Sequence, residues 1–345
     1  MTLLPNTNTS LGRIVTYAAV GAGLFLAGRT LYKEYTKYNL KGKVVLITGG
    51  SRGLGLVLAR QLAEIGAKIV ICSRTIDQLG NAHMELENKG AEILSLAVDV
   101  TDPAQVDSMI KDVMGYHGRI DVLINNAGIV QVAPQEALTI ADYDIAMKTN
   151  FWASLYTMLS TIPHMKFQGE GRIVNITSIG GKVAVPHMLP YTASKFALVG
   201  LSEGMHAELK KSNITVTTIV PHLMKTGSPR NVAVKGDHEA EYAWFKIADS
   251  SPMSQDVEIS AARIIKAIEY GETEAVLSFT AKAATIIQAL IPGWMGTLMS
   301  TANSFMPENV SGGDKIKSGH ESESDLSAGW LAADTDKAAL QNNEY

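Results

Sequence analysis

Cysteine is almost missing from this chain: its 345 residues include only Cys72. A lone thiol cannot close an internal disulfide. Within the apolar run Ile69-Val70-Ile71-Cys72 it reads as a buried, inert group rather than a nucleophile. No Cys/His cluster stands at ligand spacing, so the sequence makes no case for a metal. A dominant charge of one sign is missing too. The net charge of −4 lacks the basic excess that marks nucleic-acid binders, which excludes that class of partner. No internal repeat is visible. What remains is 46% hydrophobic and 19% charged, a balance that supports a sizeable core. The length suits one large α/β domain with extensions, or two ordinary domains.

Long uncharged runs are scarce. One, Ile14 to Gly28, is bracketed by Arg13 and Arg29. As a helix it measures about 22 Å, short of the roughly 30 Å hydrocarbon layer of a bilayer. Extension to Tyr32, with Arg29 snorkelling, brings it close to a span. Basic residues concentrate after the run (Arg29, Lys33, Lys37, Lys41, Lys43), which disfavours a cleaved signal peptide and keeps the rest of the chain on the cytoplasmic side. Residues 1–40 are therefore expected to be an apolar anchor or interfacial helix with its linker, giving membrane association through 11–32. The other reading is a helix packed on the domain or on a dimer partner.

From Lys43 onward, short β-branched runs alternate with longer amphipathic stretches. Strands are predicted at 43–48, 68–73, 92–100, 120–125, 171–177, 214–220 and 275–279, and helices at 54–65, 103–117, 139–166 and 190–211. The strands are almost continuously apolar, as in a parallel sheet covered on both faces. This order predicts a doubly wound, Rossmann-type parallel sheet of about seven strands over residues 41–280, with ligands at the carboxyl ends of the strands. Residues 222–255 break the alternation and read as a mobile substrate lid or a surface loop. The apolar stretch 283–299, within an extension spanning 281–306, fits a dimer interface, a pocket wall or a bilayer surface. Residues 307–345, rich in Gly, Ser, Glu, Asp and Asn, are expected to be a disordered tail.

The first strand runs into Thr48-Gly49-Gly50-Ser51-Arg52-Gly53-Leu54-Gly55, and a helix comes next. Glycines there allow a tight turn and close approach of a pyrophosphate to free helix N–H groups. The second strand ends in Ser73-Arg74 rather than in an acidic residue. With Arg52, this provides two guanidinium groups for a 2′-phosphate and points to NADP(H) over NAD. In its order and spacing, Gly-x-x-x-Gly-x-Gly resembles the fingerprint of the short-chain dehydrogenase/reductase family, and Asn125-Asn126-Ala127-Gly128 matches that family's second motif. The resemblance covers residues 41 to about 280. It implies cofactor contacts from Gly49, Ser51, Arg52, Gly53, Leu54, Gly55, Arg74, Asp99, Val100, Asn126, Ala127, Gly128, Tyr191, Lys195, Pro221 and Thr226.

Tyr191 and Lys195 stand four residues apart at the start of a predicted helix, and so on one face. A free phenol titrates near pH 10, and a neighbouring ammonium together with the positive nicotinamide of the oxidised cofactor would favour its ionised form. The resemblance makes Tyr191 the acid/base and Lys195 its partner, with Ser178 holding the substrate oxygen and Asn150 a helix-kinking support. One departure stands out: the family's usual Pro-Gly is here Pro221-His222. The implied activity is hydride transfer between NADP(H) and a carbonyl or alcohol. The apolar segments suggest a lipophilic substrate (a sterol, retinoid or long-chain ketone), handled by a homodimer or homotetramer. The alternatives are an NADP-linked dehydrogenase of a soluble alcohol and a catalytically silent dinucleotide sensor.

Overall fold

The computed structural model describes residues 17, 20, 28, 34–250, 254–327 and 330–345, without the side chains of 330–334. The chain divides into Met1–Asn39 and Leu40–Tyr345. The expected anchor at 11–32 lies almost wholly outside the described residues. No helix among those described is long and apolar enough to cross a membrane.

Seven strands form the central sheet: β1 (Val44–Thr48), β2 (Lys68–Ser73), β3 (Ile93–Ala97), β4 (Val122–Asn125), β5 (Gly171–Ile176), β6 (Ile214–Val220) and β7 (Glu274–Val276). Their order is β3-β2-β1-β4-β5-β6-β7, and every pairing is parallel. The crossover direction reverses between β1 and β4, which opens a crevice at their carboxyl ends. Strands β1, β4 and β6 are buried along their whole length, because helices cover both faces. On one face Val44, Leu46, Val70, Leu123 and Ile173 pack with Met109, Ile110, Met158 and Ile162. Cys72, on β2, is fully enclosed, and burial pushes its thiol up to about 12.

The helices between the strands are α1 (Gly53–Glu64), α2 (Ile76–Asn88), α3 (Pro103–His117), α4 (Ile140–Met147), α5 (Ala153–Gln168) and α6 (Leu189–Leu209). Asp102 caps α3 by accepting from the Ala104 N–H at 2.9 Å, and Pro103 fills the first position. At α1 the equivalent position is Arg52, which makes no capping hydrogen bond with its side chain. That helix start instead gives its Gly53 N–H to the Asn342 carbonyl at 2.9 Å. The single helix expected over 139–166 is α4 and α5 joined by a π-helical turn, Lys148–Trp152. A π turn shifts backbone pairing by one residue, a local rearrangement that apolar spacing does not reveal.

Residues 222–255 hold a 3₁₀ turn (Ser228–Asn231), a short strand (Ala233–Val234) and α7 (His238–Ser250). The short strand pairs in parallel with Gln131–Val132 and antiparallel with Lys317–Ser318. Then come α8 (Val257–Tyr270), α9 (Phe279–Leu290), α10 (Pro292–Asn303) and α11 (Trp330–Gln341). Pro292 separates α9 from α10, and Leu290, Ile291 and Trp294 are exposed there.

The tail corrects a sequence expectation. Instead of lacking structure, residues 307–345 include a paired strand, a 3₁₀ turn and α11, and they end with Asn342 and Glu344 buried. Composition misled because this segment is fixed by specific polar contacts rather than by an apolar stripe. Thr335 Oγ1 lies 3.1 Å from Ser250 Oγ, and Asn342 donates to the Thr226 carbonyl at 3.2 Å.

Candidate active site

The turn from β1 into α1 begins the site. Gly49 has φ +62°, and a Cβ there would stand 3.0 Å from the backbone of Ala127, so only glycine fits. Thr48 Oγ1 accepts from the N–H groups of Asn126 (3.0 Å) and Ala127 (3.1 Å). The Asn126 side chain donates back to the carbonyls of Thr48 (3.1 Å) and Gly49 (3.0 Å). The two motifs are thus one rigid unit. Sequence reasoning did not single out Thr48 as a site residue; a hydroxyl at a strand end beside a glycine turn was the available signal.

The residues expected on the ribose side gather at the ends of β2 and β3. Arg74 Nη1 lies 3.8 Å from Asp99 Oδ2, and the Arg74 side chain is 60% exposed and so accessible to an anion. Asp99 accepts from the N–H and hydroxyl of Thr101 at 2.9 and 2.8 Å, and Val100 beside it is buried. Arg52 is paired with the carboxylate of Glu344, from the tail. This contact left no trace in the sequence pattern.

The chemical centre stands at the carboxyl end of β5. Ser178 lies just past that strand, accepts from the Gly180 N–H at 3.0 Å, and is hydrogen-bonded to the Tyr191 phenol. The first turn of α6 carries Tyr191, with Pro190 just before it. One turn on, Lys195 is 4% exposed and donates to the Ile176 carbonyl at 2.9 Å. Its Nζ lies 5.8 Å from the centre of the Tyr191 ring.

Asn150 sits in the π turn, fully buried. Its Oδ1 accepts from the Ile129 N–H at 2.9 Å, and its Nδ2 donates to the Ile129 carbonyl and to Ser194 Oγ. Gly128 packs between Asn150 and the Lys195 ammonium. The four expected catalytic residues are therefore brought together, and Ser194, which sequence reasoning passed over, joins them.

Burial pushes the Tyr191 phenol above its usual range, and the Ser178 hydrogen bond only partly offsets this. Lys195 points at a backbone carbonyl, and burial lowers its own value to about 8. Further positive charge beside the phenol is needed to favour the phenolate.

His222 does not take the left-handed backbone that a glycine would allow. Pro221 still accepts from the Ile179 N–H at 2.8 Å, so the loop keeps its tie to the Ser178 segment. The Nδ1 atom of His222 is buried with no partner among the described residues, and burial lowers its pKa. Thr226 is buried, and its hydroxyl accepts from the Ser228 N–H at 3.1 Å.

A glycine turn feeding a helix start without a side-chain cap from Arg52, beside a Ser-Tyr-Lys cluster at the carboxyl ends of a parallel sheet, defines a dinucleotide-dependent oxidoreductase architecture. Residues 43–235 match the profile of the short chain dehydrogenase family, and the chain belongs to that family. A dehydrogenase/reductase SDR family protein 7-like chain of Anopheles gambiae is 36% identical over 279 residues, covering 78% of this chain and 86% of that one. Among solved structures, a gluconate 5-dehydrogenase from Burkholderia cenocepacia J2315, in complex with NADP and tartrate, is 28% identical with a TM-score of 0.63, covering 72% of this chain and 98% of the other. A short chain dehydrogenase/reductase from Burkholderia phymatum in complex with NAD has a TM-score of 0.69 at 23% identity, covering 74% and 96%, a likeness of fold.

Proposed function

We propose that this chain is an NADPH-dependent carbonyl reductase that reduces a lipophilic ketone or aldehyde such as a sterol, retinoid or long-chain ketone. The observation that carries this reading is the Ser178–Tyr191 hydroxyl pair set over Lys195 at the carboxyl end of β5. Bound NADPH supplies the hydride. Ser178 and Tyr191 hold the substrate oxygen and stabilise the negative charge that develops on it. Tyr191 delivers its proton to that oxygen. Lys195 keeps a positive charge beneath the ring, and Asn150 fixes the loop after β4 against α6.

The donor set fits a dinucleotide: a glycine turn of the right spacing, a helix start without a side-chain cap from Arg52 and two arginines at the ribose end. Arg74, exposed and close to Asp99, favours the 2′-phosphate form. A lipophilic substrate is supported by Val130, Val185, Leu223 and Trp244, partly buried apolar side chains that pack on the same core as Tyr191. Residues 222–255 supply Leu223 and Trp244, and act as the substrate lid. We extend the reading to a homodimer or homotetramer associated with a membrane through residues 11–32, its catalytic domain on the cytoplasmic face.

The test is NADPH consumption across a panel of ketones and aldehydes with wild type and Tyr191→Phe. Loss of turnover with dinucleotide affinity retained is expected; equal rates would end the reading. Deleting residues 1–35 should release the protein from membranes in a carbonate wash. Full-length protein already in the soluble fraction would rule the association out.

A further inference from the structure

We propose that the C-terminal segment Asn342–Tyr345 competes with the cofactor, with Glu344 holding the Arg52 guanidinium that the 2′-phosphate of NADP(H) requires, so that Glu344 sets dinucleotide choice. The inference rests on the cofactor reading above.

Four residues expected to contact the dinucleotide are held by this segment. The Gly53 N–H at the α1 start donates to the Asn342 carbonyl at 2.9 Å. Asn343 donates to the Ser51 carbonyl at 2.9 Å and to the Gln78 carbonyl at 2.8 Å. Arg52 pairs with the Glu344 carboxylate, and Thr226 receives the side chain of Asn342. The segment is built into place. Asn231 donates to both the carbonyl and the carboxylate of Glu344, at 2.9 and 2.8 Å. The Arg230 guanidinium lies 4.0 Å from the centre of the Tyr345 ring. Gly227, at φ +87°, leaves no room for a Cβ against the backbone of Ala339. Glu344 itself is 3% exposed, so this is no loose surface ion pair.

A carboxylate and a phosphate monoester are both anionic acceptors for a guanidinium. Held at one guanidinium they also repel each other. To use Arg52, NADP(H) must displace Glu344. NAD(H) presents a neutral 2′-hydroxyl there, a donor that a carboxylate accepts. Glu344 therefore penalises one cofactor and tolerates the other, while Asn342 and Asn343 compete with both.

The test measures equilibrium binding of NADP+ and NAD+, without turnover, to wild type, Glu344→Gln, a chain ending at Gln341, and Arg52→Ala. NADP+ should bind Glu344→Gln about tenfold tighter, the scale of one charge-assisted hydrogen bond, with NAD+ changed by less than about twofold, while the chain ending at Gln341 should bind both dinucleotides tighter and NADP+ by the larger factor. In wild type, 2′,5′-ADP should hasten hydrogen exchange of the Asn342–Tyr345 amides and 5′-AMP should not. Unchanged or weaker NADP+ binding in both tail variants overturns the proposal. Equal tightening for both dinucleotides in Glu344→Gln overturns the claim about choice. Arg52→Ala separates the two readings: if it leaves NADP+ affinity intact, the cofactor assignment itself falls and this inference with it.

Discussion

Asn150 donates to Ser194 Oγ at 2.9 Å, and Ser194 in turn donates to the Tyr191 carbonyl at 2.7 Å. A residue of the π turn is thereby tied, through one hydroxyl, to the backbone that carries the acid/base. The same amide also satisfies both backbone groups of Ile129.

The two ends of this link should not cost the same. Ser194→Ala removes two hydrogen bonds but leaves Asn150 bonded to Ile129, so about 1 kcal/mol of stability should be lost, the low end for a pair of ordinary hydrogen bonds. Asn150→Ala removes the partner of both part-buried backbone groups of Ile129 and of Ser194, and about 2–3 kcal/mol should go. Urea unfolding of the two variants measures the difference; equal losses would show that the Ile129 contacts carry no weight.

Tyr191→Phe removes one hydroxyl and little volume. Turnover should fall by about 10²–10⁴-fold, the usual contribution of a positioned proton donor. The dissociation constant for the dinucleotide should move little. A parallel loss of cofactor binding would mean the substitution had disturbed α6 rather than the chemistry.

Lys195 gives a pH signature with a definite sign. Its value falls from 10.5 in the unfolded chain to about 8 when folded. Below about pH 8 both states hold the proton and the cost of burying the ammonium is felt in full. Between about 8 and 10.5 the unfolded state binds more protons, so this group's contribution makes the fold more stable as pH rises. The stability of wild type relative to Lys195→Met should therefore climb across that window. A flat difference in denaturant midpoint would refute the assignment.

Asp142 joins α4 to the segment after β6. It receives Lys235 at 2.7 Å, Gln131 at 2.7 Å, and both the N–H and hydroxyl of Thr139. Burial raises its carboxyl, but these donors outweigh that and hold it at about 2. Asp142→Ala leaves Lys235, itself 4% exposed, without its counter-ion. The expected loss is about 3–5 kcal/mol. Thermal melts should show it, and Asp142→Ala with Lys235→Met should recover part.

The sheet was legible because its strands are continuous apolar runs: the limits expected for β2 and β6 coincide with those observed. The catalytic cluster was legible through spacing, since Tyr191 and Lys195 must share a helical face. What escaped notice depends on contacts between distant segments. Nothing local marks Glu344 as the partner of Arg52, 292 residues away. The π turn at Asn150 hid for a different reason, because apolar periodicity records which face is buried but not how the backbone pairs. The tail hid because three consecutive polar residues, Asn342, Asn343 and Glu344, look solvated by composition although each is spent on a specific partner.

Cys72 offers a practical return. A solitary sulfhydryl sealed inside β2 and kept protonated is invisible to alkylating reagents until the sheet opens. Its labelling rate then reads directly as a stopwatch for rupture of the domain's interior, with no engineered reporter and no competing reaction from a second site.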